Sequence, residues 1–274
     1  MTEKRFAPDV LQHLFMAVEE DDYVDSQVSL PSVIDLSCSA EIVHSNYALC
    51  LQFWEDGVDR EALLRLTLKQ AVGDELSPVE RMQYKYMRAR FKHLRFAQRL
   101  YLRQHRAGFL FGKTTVYLGR FQDGFRNQKK DIITFYARLL RICLSAPAWR
   151  LMRYSLSHSR LASVEDFVAY RQGQIRTLKA YVTKPALTGR EFHDVRKIIS
   201  QQVSYYDTLR SIAPEHKEAR QISRFLAAIN GLMGDRHDVM VADDMHNRLS
   251  YDTPVALDDD IRQRLALLIE RFPL

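Results

Sequence analysis

The sequence predicts an all-α protein, a helical bundle of two repeats with an additional helical N-terminal segment, and three observations carry that reading. Apolar residues recur at helical spacing through most of the chain. Two capping boxes, Ser77-x-x-Glu80 and Thr188-x-x-Glu191, open its two longest periodic stretches. Only 10 Gly and 8 Pro in 274 residues leave too few turns for an all-β fold, and nothing reads as a convincing strand.

Taken in order, Pro8 opens a short amphipathic helix through Leu11, Leu14, Phe15 and Val18, which runs out in the acidic cluster Glu19, Glu20, Asp21, Asp22 and Asp25. The Ser-rich residues 26–39, with Pro31, read as loop. Residues 41–55 and 59–72 are expected helices, stopped by Gly57 and Gly73. The stretch that organises the chain is 77–108: a Ser N-cap, a Pro where the backbone N–H is orphaned anyway, and an expected stop at Gly108. Within it Arg81, Lys85, Arg88, Lys92, Arg95, Arg99, Arg103 and Arg106 recur every three or four residues, which places all eight on one helix face. Tyr84, Met87, Phe91 and Leu94 flank that row on one side, and Met82, Tyr86, Phe96 and Leu100 on the other; the aromatic residues read as core rather than as stacking platforms. Further helices are expected over 113–125, 129–144, 147–157, 163–182, 188–212 (stopped by Pro214), 215–234, 235–249 and 258–272.

The net charge of +6 conceals its distribution. Residues 1–77 carry 5 basic and 15 acidic side chains, residues 78–160 carry 19 and 3, and residues 161–274 carry 16 and 16. From 81 to 122 there are 11 Lys or Arg and no Asp or Glu. Like charges at i,i+4 cost about 0.2–0.5 kcal/mol each, so a row that nothing offsets locally points to a polyanionic partner rather than to a solvated face. Guanidinium groups bind phosphate oxygens through paired donors, and Arg dominates here. Two readings of the acidic cluster 19–25 stand: competition with a polyanion for part of the row and, favoured over it, a packed helical arm whose acids face water.

Other chemistries fit less well. Cys38, Cys50 and Cys143 lack the count and spacing of a disulfide or zinc framework and read as reduced, buried thiols. No apolar run reaches membrane-span length and the first ten residues lack a signal-peptide core, so a cytoplasmic protein without a membrane partner is expected. There is no Gly-rich phosphate loop, nucleophile elbow or Cys-x-x-Cys, and no base-reading motif that would favour nucleic acid over a plain phosphate polymer. The doublets His193-Asp194 and His237-Asp238, with Asp243, Asp244 and His246, are the one arrangement a metal-dependent phosphohydrolase could use. Adjacent helical residues point about 100° apart, so each doublet needs ligands from elsewhere, and a non-catalytic protein without metal or cofactor is the leading expectation.

Two segments repeat. The first long helix followed by YLGRFQD (117–123) parallels the second followed by LMGDRHD (232–238), with Arg88 and Arg196 standing 31 and 38 residues before Gly119 and Gly234. HDVRK (193–197) at the head of a long helix, then LMGDRHDVMV (232–241), resembles the conserved histidine α-helical domain (CHAD) family, built of two helical repeats that each pair an H-x-x-R-x-x-x-R-x-x-R helix with one carrying L-G-x-x-x-D. The resemblance covers about 78–272, as a first repeat over 78–160 and a second over 161–274, with 1–77 left as an acidic helical extension. Family members bind inorganic polyphosphate through basic side chains lining a groove between the repeats, so the resemblance implies that ligand here, possible association with polyphosphate granules, and no catalysis. By position, His193 and Arg196 match the second-repeat His and Arg, while Arg88, Lys92, Arg95 and Arg99 match the first basic series. Lys85 stands where the first repeat would have its His, and Ser200, Gln201, Gln202 and Ser204 replace the series after Arg196. The expected polyanion-binding residues are therefore Arg81, Lys85, Arg88, Lys92, Arg95, Arg99, Arg103, Arg120, His193, Arg196 and Lys197. His193, with an ordinary pKa near 6.5, is expected to add a charge below that pH. The alternative reading is a helical scaffold whose basic face docks an acidic protein.

Overall fold

The computed structural model describes residues 5–20, 24–25 and 27–274, so Asp21 and Asp22 of the acidic cluster lie outside the described residues. Among the described residues there are eleven helices: α1 Pro8–Glu20, α2 Ala40–Gly57, α3 Arg60–Ala71, α4 Pro78–Tyr101, α5 Phe109–Arg126, α6 Lys130–Cys143, α7 Ala146–Ser157, α8 Val164–Val182, α9 Gly189–Ile212, α10 Lys217–Met245 and α11 Asp259–Arg271. Two-residue strands, β1 Ala186–Leu187 and β2 Val255–Ala256, pair antiparallel with Leu187 opposite Val255. A strand this short has no alternation to read, which is why the sequence did not reveal it. The protein is all-α, packed as a helical bundle.

Both capping boxes form. Ser77 Oγ accepts from the Glu80 N–H at 3.3 Å and a Glu80 carboxylate oxygen accepts from the Ser77 N–H at 2.8 Å; Thr188 and Glu191 make the same reciprocal pair at 3.3 and 2.9 Å. Lys69 Nζ donates to both Glu80 oxygens, and this ammonium is the main reason the Glu80 pKa falls to about 2.

The chain forms two compact units, one of residues 5–6 and 47–161, the other of 7–46 and 162–274. In the first, α5 packs on α4 and α6, and α3 packs on α6. Trp54 stands edge-on to Phe91 and Phe111, each 5.6 Å between ring centroids, while Phe91 stacks on Phe111 at 5.2 Å. Tyr84 packs against Phe121 and Phe125 and donates its hydroxyl to the Leu118 carbonyl at 2.9 Å. Tyr84 and Phe91 are thus core, as their spacing implied, whereas Tyr86 and Phe96 are half-buried and Met82 is exposed. Full burial of such side chains contributes about 1.5–3 kcal/mol each.

The organising helix is shorter than its sequence suggests. It ends at Tyr101, because Leu102 turns extended (φ −81°, ψ 144°) and bridges to Leu161, and the Arg103 N–H donates to the Arg160 carbonyl at 3.0 Å. His105 then takes a left-handed backbone (φ 45°). Gly108 is the N-cap residue of α5 rather than the stop of α4, its N–H held by Gln98 Oε1 at 2.8 Å. Arg103 and Arg106 therefore leave the helical row.

In the second unit α9 packs along α10 and against α1 and α8, and α8 packs on α11. Every residue from 198 to 208 of α9 is buried, although six of those eleven are Ser, Gln, Asp or Thr. Hydrogen bonds resolve the conflict. Ser200 donates to Asn230 Oδ1 at 2.7 Å, Gln202 donates to Gln174 Oε1 at 3.0 Å, and Asp207 accepts from Ser223 and from Arg210. The fully buried Arg171 donates to Gln202 Oε1 and Tyr206 OH, both at 3.0 Å, with its guanidinium 4.0 Å from the Tyr205 ring centroid. Helix α10 runs unbroken through Gly234, where the sequence suggested a boundary. Glu20, at the end of α1, pairs with Arg210 at 2.9 Å and offers its carbonyl to Arg224 at 2.7 Å. Its carboxylate is thus engaged within this unit.

Buried His93, on α4, packs edge-on to Phe53 at 5.9 Å, and burial first, then the Lys92 charge, lowers its pKa to about 4. The unfolded chain takes up this proton near pH 6.5 and the folded chain only near pH 4. Stability from this residue is therefore complete above pH 6.5 and is lost as pH falls, by about 3 kcal/mol between pH 7 and pH 4. Urea midpoints measured across that range should drop more steeply in the native protein than in a His93→Phe variant; equal slopes would show that His93 is not the group responsible.

Candidate functional site

Six of the eight expected cations remain on one face of α4: Arg81, Lys85, Arg88, Lys92, Arg95 and Arg99. At 100° per residue they fall within a wedge of about 80°, and at ~1.5 Å per residue the row is about 27 Å long. Arg81 is tethered at one end, donating from Nε to the Leu76 carbonyl at 2.9 Å and from Nη2 to Glu75 at 3.3 Å. Lys85 and Lys92 are exposed, and Lys92 Nζ lies 5.6 Å from the Phe96 ring centroid. Arg88, Arg95 and Arg99 are half-buried. Partial burial, then the neighbouring Arg99, lowers the Arg95 pKa; a guanidinium starts so high that it stays charged. Among the described residues no carboxylate forms an ion pair with Arg88, Arg95 or Arg99. Arg103 is exposed in the turn after the helix, and Arg120 is exposed on α5.

Arg88 also lies at the contact of α4 with α5. Its guanidinium lies over Gly119 of α5, where a Cβ would come within 3.4 Å of Nη2. The second unit contains the same device by itself: Arg196 of α9 lies over Gly234 of α10, where a Cβ would come within 2.9 Å of Nη2. At Gly234 the missing side chain leaves room for the guanidinium, whereas at Gly119 a methyl group would meet Arg88 at ordinary contact distance. These are the two residue pairs whose spacing the sequence matched.

The other two expected residues of α9 are less available as cations. Lys197 Nζ is paired with Asp194 at 2.9 Å. His193 is exposed at its edge, yet its pKa is lowered to about 4, first by the desolvation of its packed side and then by Lys197, His237 and Arg196. This overturns the expected charge near pH 6.5: at neutral pH His193 is an uncharged imidazole. After Arg196 the chain carries Ser200, Gln201, Gln202 and Ser204, all buried, where cations would be desolvated.

Among the described residues no group of three His, Cys, Asp or Glu side chains is placed to hold a metal ion. The residues of the two doublets are engaged locally: His237 Nε2 is 2.9 Å from Tyr251 OH, Asp244 accepts from the Tyr251 N–H, Asp243 faces Arg248, and His246 closes α10. Sequence reasoning missed Tyr251, whose carbonyl accepts from the Gly189 N–H at 2.8 Å. Its one signal was position, in the loop that brings β2 back to β1. No protein-family model, characterised protein or solved structure matches the chain.

The two arginine–glycine contacts are open to double-mutant cycles. Gly→Ala in a helix interior ordinarily gains up to about 1 kcal/mol. Gly234→Ala should yield little of that gain with Arg196 present and most of it in an Arg196→Gln background, a coupling of roughly 0.5 kcal/mol or more. The cycle of Gly119→Ala with Arg88→Gln should couple more weakly, as its wider approach allows. Additive values in both would mean that the guanidinium moves aside freely.

Proposed function

We propose that the chain is a divergent member of the CHAD family that binds inorganic polyphosphate, or a similarly phosphate-rich polyanion, without catalysis. The observation that carries this reading is the α4 row, where Arg88, Arg95 and Arg99 have no ion-pairing carboxylate among the described residues and none lies in the sequence from 81 to 122. A linear polyanion would supply the missing counter-charges, and the fork of each guanidinium suits phosphate oxygens. The matching arginine–glycine contacts, Arg88 on Gly119 and Arg196 on Gly234, support the two-repeat reading on which the family assignment rests. Arg120, one residue beyond Gly119 on α5, extends the site from the row towards the neighbouring helix.

Titration with polyphosphate chains of increasing length tests the proposal. Affinity should tighten with length until the row of about 27 Å is covered, and weaken as salt shortens the Debye length from about 10 Å at 0.1 M. Replacing Arg88, Lys92 and Arg95 together by Gln should weaken binding at least tenfold, or about 1.4 kcal/mol, with unchanged circular dichroism because Gln has similar helix propensity. Unchanged affinity in that folded variant would remove α4 from the mechanism. Because His193 is neutral down to about pH 4, His193→Asn should leave the affinity between pH 7.5 and 5.5 unaltered.

A further inference from the structure

The first unit exposes apolar side chains for which a free polyanion has no use. Phe109 is 80% exposed, Val116 37%, Phe135 57% and Ile142 67%. Their placement is ordered. On α5 the exposed residues Phe109, Lys113, Val116 and Arg120 stand at i, i+4, i+7 and i+11, a single stripe of alternating apolar and basic character. Gly119 lies on the α4 side of this stripe, under Arg88, while Gly124 lies on the α6 side against Ile132 and Ile133. The stripe is therefore the outward ridge of α5 between its two neighbours. Lys113 Nζ sits 5.7 Å from the Phe109 ring centroid, so cation and aromatic ring form one exposed unit.

Helix α6 continues the same face. Its buried residues, Ile133, Ala137, Leu140 and Cys143, define the inward side. Phe135 and Ile142, seven apart, project outward on the edge next to α5: Phe135 contacts Tyr136 at 5.1 Å and Tyr136 contacts Tyr117 of α5 at 5.7 Å. At 100° per residue Phe135 and Ile142 lie about 100° and about 120° from Tyr136, on the side of α6 away from its buried residues. Arg138 and Arg141 are exposed beside them.

We infer that this face of α5 and α6 docks on the surface of a bilayer rich in anionic phospholipid. Cations between bulky apolar side chains match such a surface, where headgroup phosphates meet Lys and Arg while aromatic and aliphatic groups enter the acyl boundary. Single-stranded nucleic acid would stack bases on the two Phe, but it gives no role to Val116 and Ile142. Docking of this kind is peripheral, and no described helix is long and apolar enough to cross a membrane. The apolar side chains that carry the inference lie outside the proposed polyphosphate site, which shares only Arg120 with this face.

Co-sedimentation of the full chain with vesicles of phosphatidylcholine and phosphatidylserine (3:1), and of phosphatidylcholine alone, at 0.1 M salt tests it. The protein should pellet with the anionic vesicles and not with the neutral ones. The double variant Phe109→Ser, Phe135→Ser, altered only at exposed positions, should bind anionic vesicles at least fivefold more weakly and keep its polyphosphate affinity within twofold. The inference is overturned by a wild-type protein that stays in the supernatant, or by capture equal on neutral vesicles. It is overturned also by a folded double variant that pellets like wild type, which would mean charge attraction alone. Loss of self-association in the double variant, seen by sedimentation velocity without vesicle capture of the wild type, would assign the face to a second copy instead.

Discussion

Repulsion along α4 is the constraint that the rest of the first unit answers. Six like charges give five neighbouring pairs at i,i+3 or i,i+4, together costing on the order of 1–2.5 kcal/mol in an isolated helix. The helix is nonetheless fixed on every other side. Its first turn is closed by the Ser77–Glu80 box, with Lys69 locking Glu80. Its inner face carries Tyr84, Met87, Phe91 and Leu94 into an aromatic core. Its end is stopped by the Leu102–Leu161 bridge. Packing of that extent outweighs the repulsion, so the unit holds in one place a charge density that an isolated helix would not tolerate. An anion that relieves the repulsion stabilises both itself and the helix.

Most of the helical content was legible because it depends on local rules. Caps at Ser77 and Thr188 are short-range chemistry, and both side chains accept the backbone N–H that their spacing implied; Asp59 and Ser163 cap α3 and α8 in the same way. What failed to read were places where a residue answers a distant partner. Gly108 looks like a helix stop and serves as the start of α5, since the stop is imposed by Leu161 about 60 residues away in the chain. Gly234 looks like a break and is a helix interior, since its purpose is to admit Arg196.

The candidate site was legible to a similar depth. Periodicity alone placed Arg81 to Arg99 on one face, because that is a property of one helix. It misjudged Arg103 and Arg106, which lie past a stop set by tertiary contact, and it misjudged the charge of His193, which depends first on the desolvation of its packed side and then on Lys197, His237 and Arg196. The aromatic flank offered a gentler lesson. Tyr84 and Phe91 are core, but the exposed Phe109 and Phe135 lie on helices where the charge pattern drew the eye instead.

The buried polar seam of α9 has a consequence for how this chain can change. Apolar cores accept many volume-conserving exchanges, whereas a seam in which Ser200, Gln202 and Asp207 each answer a particular partner fixes the register of α9 against α8 and α10. Sliding the helix by one turn would strand these groups without partners, and placing an arginine among them would strand a charge as well. A second basic row on α9 therefore lies many coordinated substitutions away. The two long helices have separate occupations, one charged along its outer face, the other buried along most of its length, and neither can take up the other's work by small steps.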